Sequence, residues 1–489
     1  MLSAFLYKFF LFSCGVGLVA LARFVHDLVI SRRLLRSIPG PKPSSFIWGE
    51  EWKLYSRPPG QPYAEWHRKY GPIVKFRGAF GHEVVSITDH RAISFILGEH
   101  TYQFPKAKGV RAWFKATLGE GILWVEGKEA HERQRKLLAP ALSSQAVRDL
   151  TPILFETASK VASQWMKILD RLRVDAVEIE ITDWTSRFAR VLDGLTNNEH
   201  NKSSFYMRAL FWLFPPILNL GKKGEMIRRT KYELGSIGSK MWRDAKAIGD
   251  HDGRTMMAFM LKADSAAATP IGKGDIIAQM RTVISAGYET VSAVVAWMLY
   301  ELAIHPQVQT ELRHELQRVQ CHSVDVINDQ CPLLDSALKE TLRLHPAILE
   351  NHHEASLTIS IPLEEPIPGT KDMHIIIPEG TLLAIPLNVI HQDPEVWGPD
   401  AHLFRPERWL ERKKSQIRHK HELLTFSEGP RVCIGKNFAM AEIKVLMVTL
   451  IQQFSFSCQH EIEAFQSFVI RPRIRGQSPS SLPLLVRKL

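Results

Sequence analysis

Cysteine is scarce in this 489-residue chain: five residues (Cys14, Cys321, Cys331, Cys433, Cys458), an odd number and none in CxxC spacing. That excludes a disulfide scaffold and a structural zinc site, and it suits a reducing compartment. No internal repeat or low-complexity linker interrupts the sequence, so repeat architectures and tethered arrays are excluded. No GxGxxG or GxxxxGK(S/T) element follows an expected strand, so the chain does not bring its own nicotinamide, flavin or nucleotide site. Zinc-finger spacing, RNA-recognition aromatics and a basic arm are all missing. The net charge of +11, from 62 basic and 51 acidic residues, is scattered. It therefore favours a membrane surface or an acidic protein over nucleic acid. With 45% hydrophobic and 23% charged residues, the chain is globular and can bury a large core.

Residues 1–22 are apolar except for Lys8, and Arg23, Arg32, Arg33 and Arg36 follow. This reads as an N-terminal membrane anchor over residues 1–30 with a basic cytosolic flank. The uncharged run from Phe9 to Ala22 is shorter than the ~20 residues of a full span, so Lys8 must snorkel or the helix must extend past Arg23. A cleaved signal peptide is the rival reading. Residues 31–43 form a basic, proline-rich hinge ending in Ile38-Pro39-Gly40-Pro41-Lys42-Pro43, and 44–489 read as one catalytic domain. Strand patterns at Ile73–Phe76, Val84–Ile87 and Thr381–Ile385 are minor beside long helical periodicities, so the fold class is mainly α with small β-sheets. Asn201-Lys202-Ser203 is a glycosylation sequon that a cytosolic body leaves silent.

The segment Phe426-Ser427-Glu428-Gly429-Pro430-Arg431-Val432-Cys433-Ile434-Gly435 sets one cysteine between two glycines, just before an apolar helical pattern (Phe438, Ala441, Val445, Val448). Such a loop aims backbone N–H groups and the positive end of a helix dipole at the sulfur, which favours a thiolate able to ligate iron. Gly429 and Gly435 permit close approach, and Arg431 supplies a cation for a carboxylate beside the metal. The other four cysteines read as inert buried thiols. Phe426, Gly429, Arg431, Cys433 and Gly435 at these offsets make the chain resemble the cytochrome P450 superfamily, most closely its fungal, membrane-anchored members.

The resemblance continues in Glu340-Thr341-Leu342-Arg343 and in Phe404-Arg405-Pro406-Glu407-Arg408-Trp409. It implies that Glu340, Arg343 and Arg408 form a buried charge-assisted network beneath the cysteine loop. Spacing alone puts Glu340 and Arg343 on one helix face, where an exposed pair is worth only ~0.2–0.5 kcal/mol. A helical pattern from Asp275 to Glu301 carries Ala286-Gly287-Tyr288-Glu289-Thr290 at its centre, which resembles the family's oxygen-activation motif. The resemblance implies a hydrogen bond from Thr290 to the dioxygen and a part for Glu289 in proton relay. Val291 stands where many members have a second hydroxyl. His131-Glu132-Arg133-Gln134-Arg135 resembles the segment that contacts haem propionates through His131 and Arg135, and His353 takes the place of an arginine in that set. As adjacent strand residues, His352 and His353 point apart and do not suggest zinc.

The resemblance implies haem b with a Cys433 thiolate, and a monooxygenase that inserts one atom of O2 into a lipophilic molecule of secondary-metabolite, terpenoid, fatty-acid or xenobiotic type. It implies electrons from a separate NADPH-cytochrome P450 reductase, with cytochrome b5 as a second donor, and a single-pass anchor in the endoplasmic reticulum membrane. Pocket walls would come from Phe104–Leu118, the start of the oxygen-side helix and Ala347–Ala355. Phe205–Leu220, aromatic and followed by Lys222 and Lys223, reads as a segment dipping into lipid. A family block is missing from Ser186–Asn201. The alternatives are a haem-thiolate isomerase or dehydratase, disfavoured by Thr290, and a non-catalytic haem-binding relative.

Overall fold

The structure is a computed structural model that describes residues 28–182, 202–211, 214–248, 255–265, 272–411, 423–466, 469–477 and 479–489, with scattered positions between 15 and 26. Most of the expected anchor and the Ser186–Asn201 block, with the sequon's Asn201, lie outside the described residues. Ten helices matter here: α1 (Lys108–Thr117), α2 (Lys128–Leu138), α3 (Ser144–Leu172), α4 (Gly221–Ile248), α5 (Lys273–Ile304), α6 (Pro306–Arg318), α7 (Val324–Gln330), α8 (Pro332–Leu344), α9 (Glu407–Glu411) and α10 (Lys436–Gln453).

The longest, α5, has 32 residues and crosses the domain. It is apolar on nearly every face from Ile276 to Ala303, as a helix walled in by others must be. Among the described residues it is also the one helix long and apolar enough to cross a bilayer, but 67% of its most apolar window is buried inside the fold. Trp165 of α3, Val294 and Leu299 of α5, Leu338 of α8 and Val445 and Leu450 of α10 meet in the main core. Prolines at the first turns of α6 and α8 start those helices where an N–H would have no partner.

Four small sheets flank this body. The largest runs in the order β1 (Ile73–Arg77), β2 (Glu83–Ile87), β7 (Leu382–Pro386), β4 (Glu350–Glu354). Ile73 faces Ile87 in the antiparallel β1–β2 pair, Val84 faces Leu382 in the parallel β2–β7 pair, and His353 faces Leu383. Every residue of β2 is buried, which suits its Val84, Val85 and Ile87. The others join β3 (Ala176–Glu180), β11 (Pro483–Lys488) and β8 (Phe454–Ser457); β9 (Ile462–Gln466) and β10 (Ile470–Ile474); and β5 (Ile359–Pro362) and β6 (His374–Ile377).

Candidate active site

Cys433 sits in the loop that enters α10. The Cys433 N–H donates to the Phe426 carbonyl at 2.8 Å, which closes the loop on itself. Gly429 turns the chain at φ 67°, and a Cβ there would lie 2.1 Å from the Leu97 carbonyl oxygen, so only glycine fits. At Gly435 a Cβ would stand 4.0 Å from the Cys433 sulfur. The Cys433 side chain is accessible although protein surrounds the loop. Burial pushes its thiol up from the ordinary value, while the N–H groups of Gly435 and Lys436 and the charges of Arg135 and Lys436 pull it back.

Ile434, next to that sulfur, packs on the same apolar cluster as Val283 and Ile284 of α5. A few residues further along α5, Ala286, Gly287 and Thr290 are partly exposed, whereas residues 291–299 are all buried. An added Cβ at Gly287 would meet nothing within 4 Å. The midpoint of the helix therefore borders open space. The Thr290 hydroxyl donates to the Ala286 carbonyl at 2.7 Å. Glu289 is not on that open stripe. It is fully buried and ion-paired with Arg471 of β10.

A second group gathers on the α2 side of the loop. Arg135 donates to the Val432 carbonyl at 2.7 Å. Arg431 is ion-paired with Glu126 and lies over the Tyr102 ring at 5.2 Å. Lys106 reaches the same carboxylate at 3.1 Å. Burial opposes the charge of Glu126, but Lys106 and Arg431 outweigh it and hold the carboxyl below its ordinary value. Burial, reinforced by Arg431, Lys106 and Arg135, lowers His131 to about 4, and its Nδ1 is 3.1 Å from the Tyr102 hydroxyl. His353 is buried, lowered by that burial to about 4, and donates from Nδ1 to the Phe104 carbonyl at 2.9 Å. A neutral ring so engaged has no second N–H to offer an anion. The Nε and Nη1 atoms of Arg431 are buried and have no hydrogen-bond partner among the described residues. Unmatched guanidinium donors beside further cations fit a bound carboxylate, as a haem propionate would supply.

Beneath the loop, Glu340 and Arg343 of α8 are both 0% exposed. Glu340 accepts from Arg343 at 2.7 and 2.9 Å, from Arg408 and the Arg405 backbone N–H at 3.0 Å, and from the Trp409 indole at 2.9 Å. Arg343 also donates to the His391 and Leu403 carbonyls at 2.8 and 3.1 Å, and Arg408 to that of Trp397 at 2.9 Å. His391, held neutral by burial that lowers it to about 3, accepts the Leu424 N–H at 2.8 Å. The Thr425 hydroxyl donates to Leu342 at 2.8 Å. These links carry α8 directly into the segment that ends at Cys433. Comparison with known proteins agrees with this architecture: the family model described as Cytochrome P450 matches residues 38–473.

The chain belongs to the cytochrome P450 family. Two monooxygenases of Ampulloclitocybe clavipes, claQ and claU, are each 31% identical to it, over 92% and 94% of both chains. Cytochrome P450 monooxygenase 205 of Postia placenta is 29% identical over 98% of both. The chain is thus a P450 monooxygenase of haem-thiolate type, which requires O2, an organic substrate and a redox partner. Sequence reasoning missed Tyr102, Lys106, Glu126, His391 and Arg471. Among the new partners, Arg405 and Trp409 lay inside a motif already quoted and Lys106 in a stretch expected only as a pocket wall; Tyr102, Glu126, His391 and Arg471 come from segments with no local signature.

Proposed function

We propose that this P450 binds haem b through a Cys433 thiolate and hydroxylates a lipophilic molecule, RH + O2 + 2 e− + 2 H+ giving ROH + H2O. The observation that carries this reading is an accessible cysteine in the loop that enters α10, whose neighbour Ile434 shares an apolar cluster with the helix whose open stripe ends at Thr290. When bound, the haem supplies dioxygen activation and takes the two electrons. Cys433 contributes a thiol that burial holds up; it ionises only against a cation, and the N–H groups of Gly435 and Lys436 stand ready to stabilise the charge. Arg431, Arg135 and Lys106 would receive the propionates, with His131 donating from Nε2 when Tyr102 donates to Nδ1. Thr290 holds a hydroxyl proton against Ala286 that rotation can turn toward the open side. Its role is to donate at that side. Glu289, tied to Arg471, fixes the helix next to it and reaches the relay only by leaving that pair.

Exposed aromatic and aliphatic groups support a membrane-borne, lipophilic substrate. Phe46, Trp52, Phe80, Tyr206, Phe214 and Leu220 are exposed. Trp48 and Trp52 join their segment to Phe205 by edge contacts at 5.2 and 5.0 Å. A patch this apolar beside Lys222 suits a bilayer surface, consistent with an anchor in the endoplasmic reticulum over residues 1–30. Exposed Arg133, Lys136 and Lys436 surround the cysteine loop and suit the acidic face of an NADPH-dependent flavoprotein reductase. The test is anaerobic reduction under carbon monoxide, then turnover with reductase and NADPH against a lipophilic panel. A red-shifted thiolate-type Soret band that Cys433→Ser abolishes, with oxygenated product, is expected. Retention of that band in the variant would overturn the ligand assignment.

A further inference from the structure

Away from the haem region, Cys321 and Cys331 hold their sulfurs 3.7 Å apart. Cys321 lies in the turn after α6 and is partly exposed; Cys331 is fully buried at the N-cap of α8. Their backbones are pinned. The Cys321 N–H donates to the Val319 carbonyl and the Cys331 N–H to that of Ile327. Glu315 of α6 accepts the Leu333 and Leu334 N–H groups at 2.8 and 3.0 Å, which ties α6 to the first turn of α8. A surface cleft of about 690 Å³, lined in part by Glu315, Arg318, Pro332 and Leu333, opens nearby but is lined by neither cysteine; solutes reach the pair through the partly exposed Cys321.

We propose that Cys321 and Cys331 are a peroxide-responsive dithiol that closes to an intramolecular disulfide. The oxidant is hydrogen peroxide, and the balance is two thiols plus H2O2 giving one disulfide and two waters. The Cys321 sulfur, the accessible one, attacks a peroxide oxygen; the O–O bond breaks, and the leaving hydroxide takes the thiol proton as water. The Cys331 sulfur then displaces the hydroxyl of the resulting sulfenic acid, and its proton leaves in the second water. The sulfurs close from 3.7 Å to about 2.05 Å, which rotation of two short side chains can supply while the backbone stays pinned. Burial raises both thiols, Cys331 to about 12, so both are protonated at neutral pH. The product bond staples the end of α6 to the start of α8, the helix that carries Glu340 and Arg343.

Cys458 provides the internal reference, because it is also partly buried with a raised thiol but donates to the His460 carbonyl, and no second cysteine is paired with it in the structure. Both dithiol cysteines fall on one tryptic peptide, residues 319–339. The haem-loaded protein is treated with graded H2O2, quenched in acid, unfolded, alkylated with N-ethylmaleimide and digested. The expected product is a 319–339 peptide that carries no alkyl group and is two hydrogens lighter than the reduced form. Dithiothreitol restores both labels, and Cys458 keeps its label at peroxide levels at least ten-fold higher. In Cys321→Ser, Cys331 should stay alkylatable where the wild type has lost it. Two labels on the peptide after Cys458 has been consumed, or loss of the Cys331 label in Cys321→Ser, would overturn the proposal.

Discussion

The clasp under the cysteine loop and the cradle beside it are built from the same chemistry and finished to different degrees. In the clasp, the buried Glu340 carboxylate receives five N–H donors, Arg343 spends its remaining donors on backbone carbonyls, and Arg408 spends its own on the Trp397 and Asp400 carbonyls and the Asp400 carboxylate. In the cradle, Arg431 and Lys106 share one acid, Glu126, Arg135 donates to the Val432 carbonyl, and Arg431 keeps buried donors unmatched among the described residues. A closed network of buried charges is stable only when every member is satisfied. The clasp meets that condition by itself, whereas the cradle meets it only with an added anion. One region is therefore complete without a ligand, and the other is the place where the proposed haem carboxylates would supply what is missing.

The largest expected effect breaks the clasp. Glu340→Ala leaves the buried Arg343 guanidinium without a carboxylate and Arg408 with Asp400 alone, and should cost ~3–5 kcal/mol, read as a fall in the urea midpoint of the purified protein. Arg431→Gln, by contrast, should leave the apoprotein midpoint nearly unchanged. An unaltered midpoint for Glu340→Ala would end the claim that the clasp holds the loop.

Acid separates the two regions on one curve. Burial lowers His353 and His391 to about 4 and about 3, so the unfolded chain takes up protons first as pH falls. Their contribution is complete above pH ~6.5 and is lost as pH drops toward those values, by at most ~3 kcal/mol for His353 and ~5 kcal/mol for His391. Burial works against Glu340's charge, yet Arg343 and its other donors hold the carboxyl below its ordinary value, so its contribution is lost only below pH ~4.5. Urea midpoints measured from pH 7 to 3 should therefore show an upper limb that His353→Gln makes shallower, His391 and His131 supplying the rest, and a lower limb that it leaves alone. A curve that is level from pH 7 to 5 would contradict the neutral, buried state of these rings.

Not all of this was open to sequence reading. The i, i+3 spacing of Glu340 and Arg343 put them on one face of α8, and the glycine-flanked Cys433 announced a loop entering α10. Burial of the pair was not legible from spacing, because nothing local states that Trp409, the Arg405 N–H and three distant carbonyls will surround it. The cradle was legible only in part. His131 and Arg135 share a helix face, but Glu126, Lys106 and Tyr102 reach them through tertiary packing that no periodicity encodes. Glu289 illustrates the limit: its motif suggested the oxygen side, and its partner, Arg471, lies 182 residues away on β10.

Arg431→Gln sharpens the comparison from the other side. It removes a charged donor from the cradle and should speed transfer of haem to an acceptor apoprotein by ~10- to 100-fold, the ~1.5–3 kcal/mol of a hydrogen bond to a charged group. Retained haem affinity would mean that the unmatched donors of Arg431 face no propionate.

Tyr102 sets the smallest and most specific test. Its hydroxyl lies 3.1 Å from His131 Nδ1. If the hydroxyl donates, the proton of the neutral ring is forced onto Nε2, where it can face an anion; if the ring donates, Nε2 presents a lone pair that an anion avoids. Tyr102→Phe removes this bias and keeps the aromatic face over Arg431. Haem transfer should quicken only a few-fold, about 1 kcal/mol, and His131→Gln in the same background should add little, because both changes act on one donor. Fully additive effects would show that Tyr102 and His131 act separately, and would leave Arg431, Arg135 and Lys106 as the donors that make the cradle.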